Sequence, residues 1–299
     1  MSDTLESLRR KLDGAAKLES VVRAMKALAA SSIGQYEAAL RALGHYQRSV
    51  EIGLHACISL DAAPVRPSAR PTPRPIGAIV FGSDQGLVGR FNEVIAEFVL
   101  QRLDAMPGRK QIWGVGERVC EHLAAAGFPP AGQYPVPGSV DAINALVEQL
   151  QVQSEASHSK GECVEIHVFN NRPQSIALYA PVSLQLLPLD VKSTWQPEHP
   201  IRPPASLREV LGTSDATLSE LVREYLFICL YKACAESLAS ENGSRLAAMQ
   251  SAQKNIESLS SALSQSYYRL RQSSIDEELF DVMTGFNALA TPAAHSNQS

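Results

Sequence analysis

The fold of this 299-residue chain is decided by the stretch LAAMQSAQKNIESLSSALSQSYYRL, residues 246–270. It lies inside a run from Leu207 to Leu289 that contains no proline, with prolines just before and just after it. A helix of that length would extend about 120 Å at ~1.5 Å per residue. Because no compact domain can bury such a helix along its whole length, we expect it to be paired, threaded through a partner, or both.

The apolar residues of this run follow the alternating three- and four-residue steps of a coiled-coil seam. They are Leu246, Met249, Ile256, Leu263, Tyr267 and Leu270 and, after a five-residue step, Ile275, Leu279, Val282, Phe286 and Leu289. Gln253 and Ser260 occupy two further positions of the seam. So sparse a seam indicates a two-stranded coiled coil whose outer face meets something wet or mobile.

A second long helix is predicted for residues 3 to about 58, which also lack proline. Its apolar residues keep a coiled-coil-like spacing: Leu18, Val22, Met25, Ala29, Tyr36, Leu40, Leu43, Val50 and Leu54. This helix is the natural partner of the C-terminal one. We therefore predict that residues 1–60 and 207–290 wrap around each other, with the middle of the chain forming a separate body.

The middle of the chain predicts an α/β body over residues 76–190. Its predicted strands are Ile76–Phe81, Gln111–Val115, Cys163–Phe169 and Ile176–Leu187, and its predicted helices are Asn92–Leu103, Glu117–Ala126 and Val140–Gln151. Alternating strands and helices of this size predict a Rossmann-like, mostly parallel sheet covered on both faces. Proline-rich residues 61–75 and 191–206 predict linkers, and residues 291–299 a polar tail.

Composition limits the partners. The formal net charge of -4 gives no global electrostatic case for nucleic acid. No apolar run approaches the ~20 residues that a membrane-spanning helix needs, so we expect membrane association only through a partner. The five cysteines are scattered without a C-x-x-C pair, which indicates buried thiols rather than a metal site.

Two glycine-rich turns follow predicted strands, Gly82–Gly89 and Gly114–Gly116. Each could present backbone N–H groups to a phosphate. Neither, however, completes G-x-x-x-x-G-K-[ST] or G-x-G-x-x-G, so tight strand-to-helix turns are the better interpretation. No nucleophile–base pair accompanies them, and we expect no catalytic residue, cofactor or metal site in the chain itself.

Three motifs now carry a resemblance to a known family. Val22–Ala30, VRAMKALAA, is similar to T-x-A-M-x-M-V-A-A, and Ser83–Asn92, SDQGLVGRFN, resembles S-D-x-G-L-C-G-x-x-N. The third and most specific motif runs from Glu241 to Leu279 and includes Tyr268-x-x-Arg271-Gln272-x-x-Ile275-x-x-Glu278-Leu279. In this order and over nearly the whole chain, they resemble the gamma subunit of F-type ATP synthases, the central rotor shaft.

The resemblance implies a fold and a role. The two ends of the chain would form a long antiparallel coiled coil inside a ring of alpha and beta subunits. The body would dock on the epsilon subunit and the c-subunit ring, at the cytoplasmic face of the bacterial inner membrane. Rotation driven by ion flow through the c ring would then be coupled to ATP synthesis or hydrolysis at the beta subunits.

The resemblance also implies contact positions toward the catalytic ring. These are Met25 and Lys26 near the beta levers, Arg245 paired with an acidic beta group, and Arg271, Gln272 and Glu278 at the beta catch loop. Without the resemblance, Met25 would be a plain seam residue, and Arg271 and Glu278 would be a solvated pair on the helix.

Some positions depart from the family pattern. Ser31–Tyr36 stands where a basic run is usual, and Val88 stands where the family has cysteine. These departures suggest an outlying branch, such as the sodium-linked second F-type ATPase.

Two other hypotheses stay open. One is a self-standing α/β enzyme with nucleotide bound near Ser83–Gly89 and a coiled-coil arm. The other is a coiled-coil scaffold without an ATPase partner.

Overall fold

The computed structural model describes residues 4–60, 75–175, 177–189 and 214–290. The helices in these ranges are α1 (Leu5–Leu60), α2 (Phe91–Asp104), α3 (Glu117–Ala125), α4 (Val140–Ser159) and α5 (Ser214–Ala290). The strands are β1 (Ile76–Phe81), β2 (Lys110–Val115), β3 (Gly132–Tyr134), β4 (Glu165–Ser175) and β5 (Leu178–Leu187). The predicted class, two long terminal helices and a mostly parallel α/β body, is confirmed.

The strands of the described chain form one five-stranded sheet in the order β3-β2-β1-β4-β5. The pairs β1–β2, β1–β4 and β2–β3 are parallel, and β4–β5 is an antiparallel hairpin. All six residues of the central strand β1 are buried, as expected for a strand covered on both faces. The sheet is therefore the centre of the body.

Alternate residues of the strands face two different apolar layers. Ile79 and Trp113 pack with α4, with the α5 residues between Leu226 and Ala239, and with Tyr36 of α1. On the other face, Ala78 and Val80 pack against α2 and α3. The two-residue period of the strands thus divides one sheet into two cores.

The helices differ from the sequence predictions mainly at their ends. Helix α4 continues past Gln151 to Ser159, and the short edge strand β3 was not predicted. Strand β4 begins at Glu165, not at Cys163, and continues beyond Phe169 into the hairpin. The predicted linkers, apart from Pro75, the tail and the start of the C-terminal helix before Ser214 lie outside the described residues.

Residues Ala27–Ala248 form one compact unit, in which α1 and α5 are paired. The hydroxyl of Tyr46 donates to Glu224 Oε2 at 2.8 Å. Farther along α1, a Cβ placed on Gly53 would lie 3.2 Å from Leu221. Because the partner position moves backward along α5 as α1 advances, the two helices are antiparallel.

The second unit, within the described residues, joins residues 4–26 with residues 249–290. Leu8, Ala15 and Val22 are buried at seven-residue intervals, with exposed fractions of 2%, 4% and 9%. This spacing is a coiled-coil heptad. Lys26 Nζ donates to Gln253 Oε1 at 3.1 Å, so a predicted polar seam position has a partner on the other helix.

Two seam predictions are wrong. Leu18 is 59% exposed, because the heptad that buries Ala15 and Val22 turns it outward. The apolar residues after the five-residue step are exposed as well: Ile275, Leu279, Val282 and Phe286. Extending the antiparallel register from the Lys26–Gln253 contact would place Leu5, where α1 starts, opposite about residue 274, and we infer that α5 extends past the start of α1.

Candidate functional site

The first glycine-rich turn is closed by its own polar residues. The backbone N of Ser83 donates to Asn92 Oδ1 at 2.9 Å, and Asn92 Nδ2 donates to Ser83 Oγ at 2.8 Å. The Ser83 hydroxyl in turn donates to the carbonyl of Gln85 at 2.9 Å. Both ends of the motif SDQGLVGRFN are buried and bonded to each other, so these groups serve the turn itself.

Asp84 occupies the N-terminus of α3, next to the second glycine-rich turn. Its Oδ1 accepts from the backbone N of Glu117 at 3.0 Å, and its Oδ2 accepts from the backbone N of Val136 at 2.8 Å. A helix N-terminus is where a bound phosphate would be stabilised. Here the carboxylate of Asp84 takes that place.

The two glycine-rich turns also pack directly on each other. Gly116 has a φ of 111°, and a Cβ at this position would lie 2.7 Å from the backbone N of Ser83. The backbone N of Arg118 donates to the carbonyl of Ser83 at 3.0 Å. The second turn therefore needs glycine for its conformation and for this close approach.

Two observations concern metal ligands and nucleophiles among the described residues. Among them, no group of three or more His, Cys, Asp or Glu side chains is placed to hold a metal ion. Burial raises the pKa of Cys120 to about 11 and the pKa of Cys229 to about 11. Thiols with such pKa values stay protonated near neutral pH and are poor nucleophiles.

The six predicted contact residues fall into three environments. Met25 and Lys26 are half-buried, and Lys26 bonds to Gln253. Arg271, Gln272 and Glu278 are exposed on α5. The three exposed side chains are free of the coiled-coil seam and accessible to another protein.

Arg245, the sixth contact residue, lies in a partly buried ion pair with Glu241. Its Nη2 lies 2.6 Å from Glu241 Oε1, and its Nη1 donates to Asn242 Oδ1 at 3.4 Å. The side chains of Arg245 and Glu241 are only 13% and 6% exposed. The guanidinium therefore has a partner one turn earlier on its own helix.

Burial dominates the electrostatics around this pair. It raises the pKa of the Glu241 carboxyl, and the neighbouring Arg245 opposes that shift. Burial also raises the pKa of Tyr36, and the charge of Glu241 adds to the effect. Tyr36 thus brings α1 to the same polar cluster as Glu241 and Arg245.

The ATP synthase family profile matches residues 4–289 of this chain. The chain belongs to the ATP synthase family. The ATP synthase gamma chain of Parafrankia sp. (strain EAN1pec) is 28% identical over 302 residues, which cover 98% of this chain and 100% of the relative. That of Lachnoclostridium phytofermentans is 29% identical over 214 residues, covering 71% and 73%. The resemblance to F-type gamma chains is confirmed.

Solved ATP synthase structures share the fold. A rotor chain of the Euglena gracilis mitochondrial ATP synthase matches with a TM-score of 0.61 and 14% identity, over 91% of this chain and 99% of that one. A chain of the Tetrahymena thermophila central stalk and c-ring matches with a TM-score of 0.56 and 19% identity, over 78% and 99%. At these identities the comparison concerns fold alone.

The sequence did not predict several buried polar residues of this ATP synthase chain. Asn170 and Asn171 on β4, and Glu236 and Ser240 on α5, are buried and bonded to one another across the two elements. The only signal for them in the sequence is polar residues inside otherwise apolar segments. Such a pattern indicates burial with a partner but cannot name that partner.

Proposed function

We propose that this chain is the gamma subunit of an F-type ATP synthase, the central shaft that couples rotation of the membrane ion ring to ATP synthesis or hydrolysis at the beta subunits. The observation that carries the proposal is the family match over residues 4–289. The antiparallel pairing of α1 with α5, and the sheet body between them in sequence, agree with it. A shaft requires a stiff element, and paired long helices provide one.

Alpha and beta subunits are the proposed partners of the coiled coil. The end of α5 beyond the seam exposes large apolar side chains, with exposed fractions of 59% for Leu279, 67% for Phe280 and 72% for Phe286. A run of exposed apolar residues is typical of a surface that a partner covers. The accessible Arg271, Gln272 and Glu278 support contacts with beta subunits at the same end of the helix.

The epsilon subunit and the c-ring are the proposed partners of the sheet body. Related chains were solved as parts of a rotor and of a central stalk with its c-ring. No helix among the described residues is both long and apolar enough to cross a membrane. We propose that the chain reaches the cytoplasmic face of the bacterial membrane through these partners.

ATP chemistry is assigned to the beta subunits, and this chain acts as a non-catalytic part of the complex. The support is local: the two glycine-rich turns bond to each other, and Asp84 fills the N-terminus of α3.

The departures at Ser31–Tyr36 and Val88 favour an outlying branch such as the sodium-linked F-type ATPases. If the alternative enzyme existed, calorimetry would detect ATP binding to the isolated chain.

Co-expression with the alpha and beta subunits of the same organism tests the proposal. We expect the full chain to co-purify with both in a complex that hydrolyses ATP. Phe286→Asp should weaken this assembly, whereas Val152→Asp, at a 67% exposed position of α4, should leave it unchanged. An alpha–beta complex that forms without retaining the wild-type chain would overturn the proposal.

A further inference from the structure

Three polar side chains of α5 reach the carboxyl end of the sheet: Glu236, Ser240 and Ser244. They are spaced four residues apart, so they lie in one row along the helix. All three are buried, with exposed fractions of 7%, 3% and 8%. We call this row the clasp, and every member bonds to a different residue of the body.

Glu236 holds the end of β4. Its Oε2 accepts from Asn170 Nδ2 at 2.9 Å and from Arg172 Nε at 3.1 Å. Asn170 is 3% exposed, so the amide and the carboxylate meet away from water. A hydrogen bond to an ionised carboxylate is stronger than one between neutral groups.

Ser240 continues the row to the next residue of β4. Its hydroxyl donates to the carbonyl of Asn171 at 3.0 Å. Asn171 Nδ2 donates in turn to the carbonyl of Phe91, the first residue of α2, at 3.2 Å. One serine of α5 is thereby connected to a strand and, through Asn171, to a helix on the other face of the sheet.

Ser244 completes the row at the turn after β1. Its hydroxyl donates to the carbonyl of Val88 at 2.5 Å. Gly89, with a φ of 57°, follows directly, and a Cβ there would lie 3.6 Å from Ser244 Oγ. The turn of the SDQGLVGRFN motif is thus attached to α5 as well as closed on itself.

The clasp supplies what the apolar contacts of α5 lack. Between Leu226 and Ala239, α5 packs on the sheet through apolar side chains. Apolar burial is non-directional and resists rotation or sliding of a helix only through its shape. Hydrogen bonds are directional, so a row of three defines both the angle of α5 about its axis and its position along that axis.

We infer that the clasp is a torque-transmitting contact between α5 and the sheet body. Glu236, Ser240 and Ser244 position the body on the shaft so that a rotation of one is delivered to the other without slip. This inference rests on the proposed function, because torque crosses this contact only in a rotary complex. A clasp that served folding alone would change the amount of assembled complex but not the coupling of each complex.

The test is the ratio of ATP-driven ion transport to ATP hydrolysis in the whole synthase reconstituted in vesicles, with transport followed both as acidification and as sodium uptake. The combined variant Glu236→Gln, Ser240→Ala, Ser244→Ala should assemble, yet its ratio should fall about twofold or more because directional contacts are lost. The single variants Ser240→Ala and Ser244→Ala should show smaller losses. Ser240→Thr, which keeps the hydroxyl, should restore most of the ratio.

Two controls match the chemistry without crossing from α5 to the body. Ser154→Ala removes a buried hydroxyl that bonds to Gln151 within α4, and Glu93→Gln removes a carboxylate paired with Arg90. Both should leave the ratio unchanged. If the combined variant does not assemble, the ratios of the single variants Ser240→Ala and Ser244→Ala test the inference instead. A reduced ratio supports it, and an unchanged ratio overturns it.

The two proposals fail separately. Wild-type chain that does not assemble with alpha and beta overturns the proposed function. Wild-type complex that transports ions, together with clasp variants of unchanged ratio per assembled complex, overturns only the clasp inference.

Discussion

Arg245 Nη2 lies 2.6 Å from Glu241 Oε1 on α5, where the Glu241 side chain is buried and the Arg245 side chain is 13% exposed. The pairing is incomplete, since Arg245 Nε and Glu241 Oε2 have no hydrogen-bond partner among the described residues. A buried ion pair of this kind adds little net stability, because desolvation offsets the attraction of the charges. Losing one partner is different, because the remaining charge is then buried alone.

Arg245→Ala should therefore destabilise the chain by about 3 kcal/mol, mainly through the unpaired Glu241 carboxylate. The measurement is urea unfolding of the full chain, followed by circular dichroism. The double variant Glu241→Gln, Arg245→Met serves as the control and should recover most of the loss. A double variant as unstable as Arg245→Ala would show that the cost arises from packing rather than charge.

The heptad of α1 predicts opposite outcomes for two neighbouring apolar residues. Val22→Ala, at a position 9% exposed, should cost about 2 kcal/mol through lost burial and a small cavity. Leu18→Ala, at a position 59% exposed, should change stability by less than about 0.5 kcal/mol. Thermal unfolding of the two variants compares them. Equal losses would contradict the seam that buries Ala15 and Val22.

The contact between the two glycine-rich turns predicts a strong effect at Gly116. Alanine there must adopt a φ of 111° and place its Cβ 2.7 Å from the backbone of Ser83. We expect Gly116→Ala to cost about 2 kcal/mol or more. Gly86→Ala is the control, because nothing lies within 4 Å of a Cβ at that position. Both are measured by chemical unfolding, and a neutral Gly116→Ala would contradict the close packing of the turns.

Because of His167, we expect the folded chain to lose stability in acid. The His167 ring is buried on β4 with Nε2 3.9 Å from Glu165 Oε2, and burial lowers its pKa although Glu165 opposes the shift. The unfolded chain then binds a proton near the ordinary histidine pKa of about 6.5 while the folded chain does not. Its contribution is thus present above that pH and is lost as the pH falls below it.

His167→Gln should make the free energy of unfolding fall less steeply between about pH 7 and pH 5. The control is His122→Gln, the same change of side chain at an exposed position of α3, and its slope is compared with that of His167→Gln. Urea unfolding at several pH values gives both slopes. A variant as acid-sensitive as the wild-type chain would place the effect in another group.

Substitutions of Arg271 and Gln272 should change the coupling of the complex without changing the stability of the chain. Both are exposed on α5, so Arg271→Ala or Gln272→Ala should leave the melting temperature unchanged. In the complex, each should weaken the coupling of hydrolysis to ion transport only modestly, because exposed ionic contacts, as of Arg271, and exposed hydrogen bonds, as of Gln272, are individually weak. Arg269→Ala is the matched control on the same helix. Complete loss of assembly from either single change would contradict a torque that depends mainly on the shape and stiffness of the coil.

The sequence by itself determined the architecture of this protein. Absence of proline over Leu207–Leu289, a three-and-four spacing of apolar residues and the alternation of strands with helices are local properties, and they led to the paired helices and the body. The three motifs, which the family profile bears out over residues 4–289, led to the family. These features could be predicted because each depends on residues that lie close together in the chain.

Only the tertiary structure decided which residues meet. It turned Leu18 outward, ended the seam near Ser274 and added the edge strand β3. It also brought Ser244 to Val88, 156 residues away, and Asp84 to Val136, 52 residues away. The physical reason is that burial and hydrogen bonding depend on the register between distant segments, which local spacing does not specify.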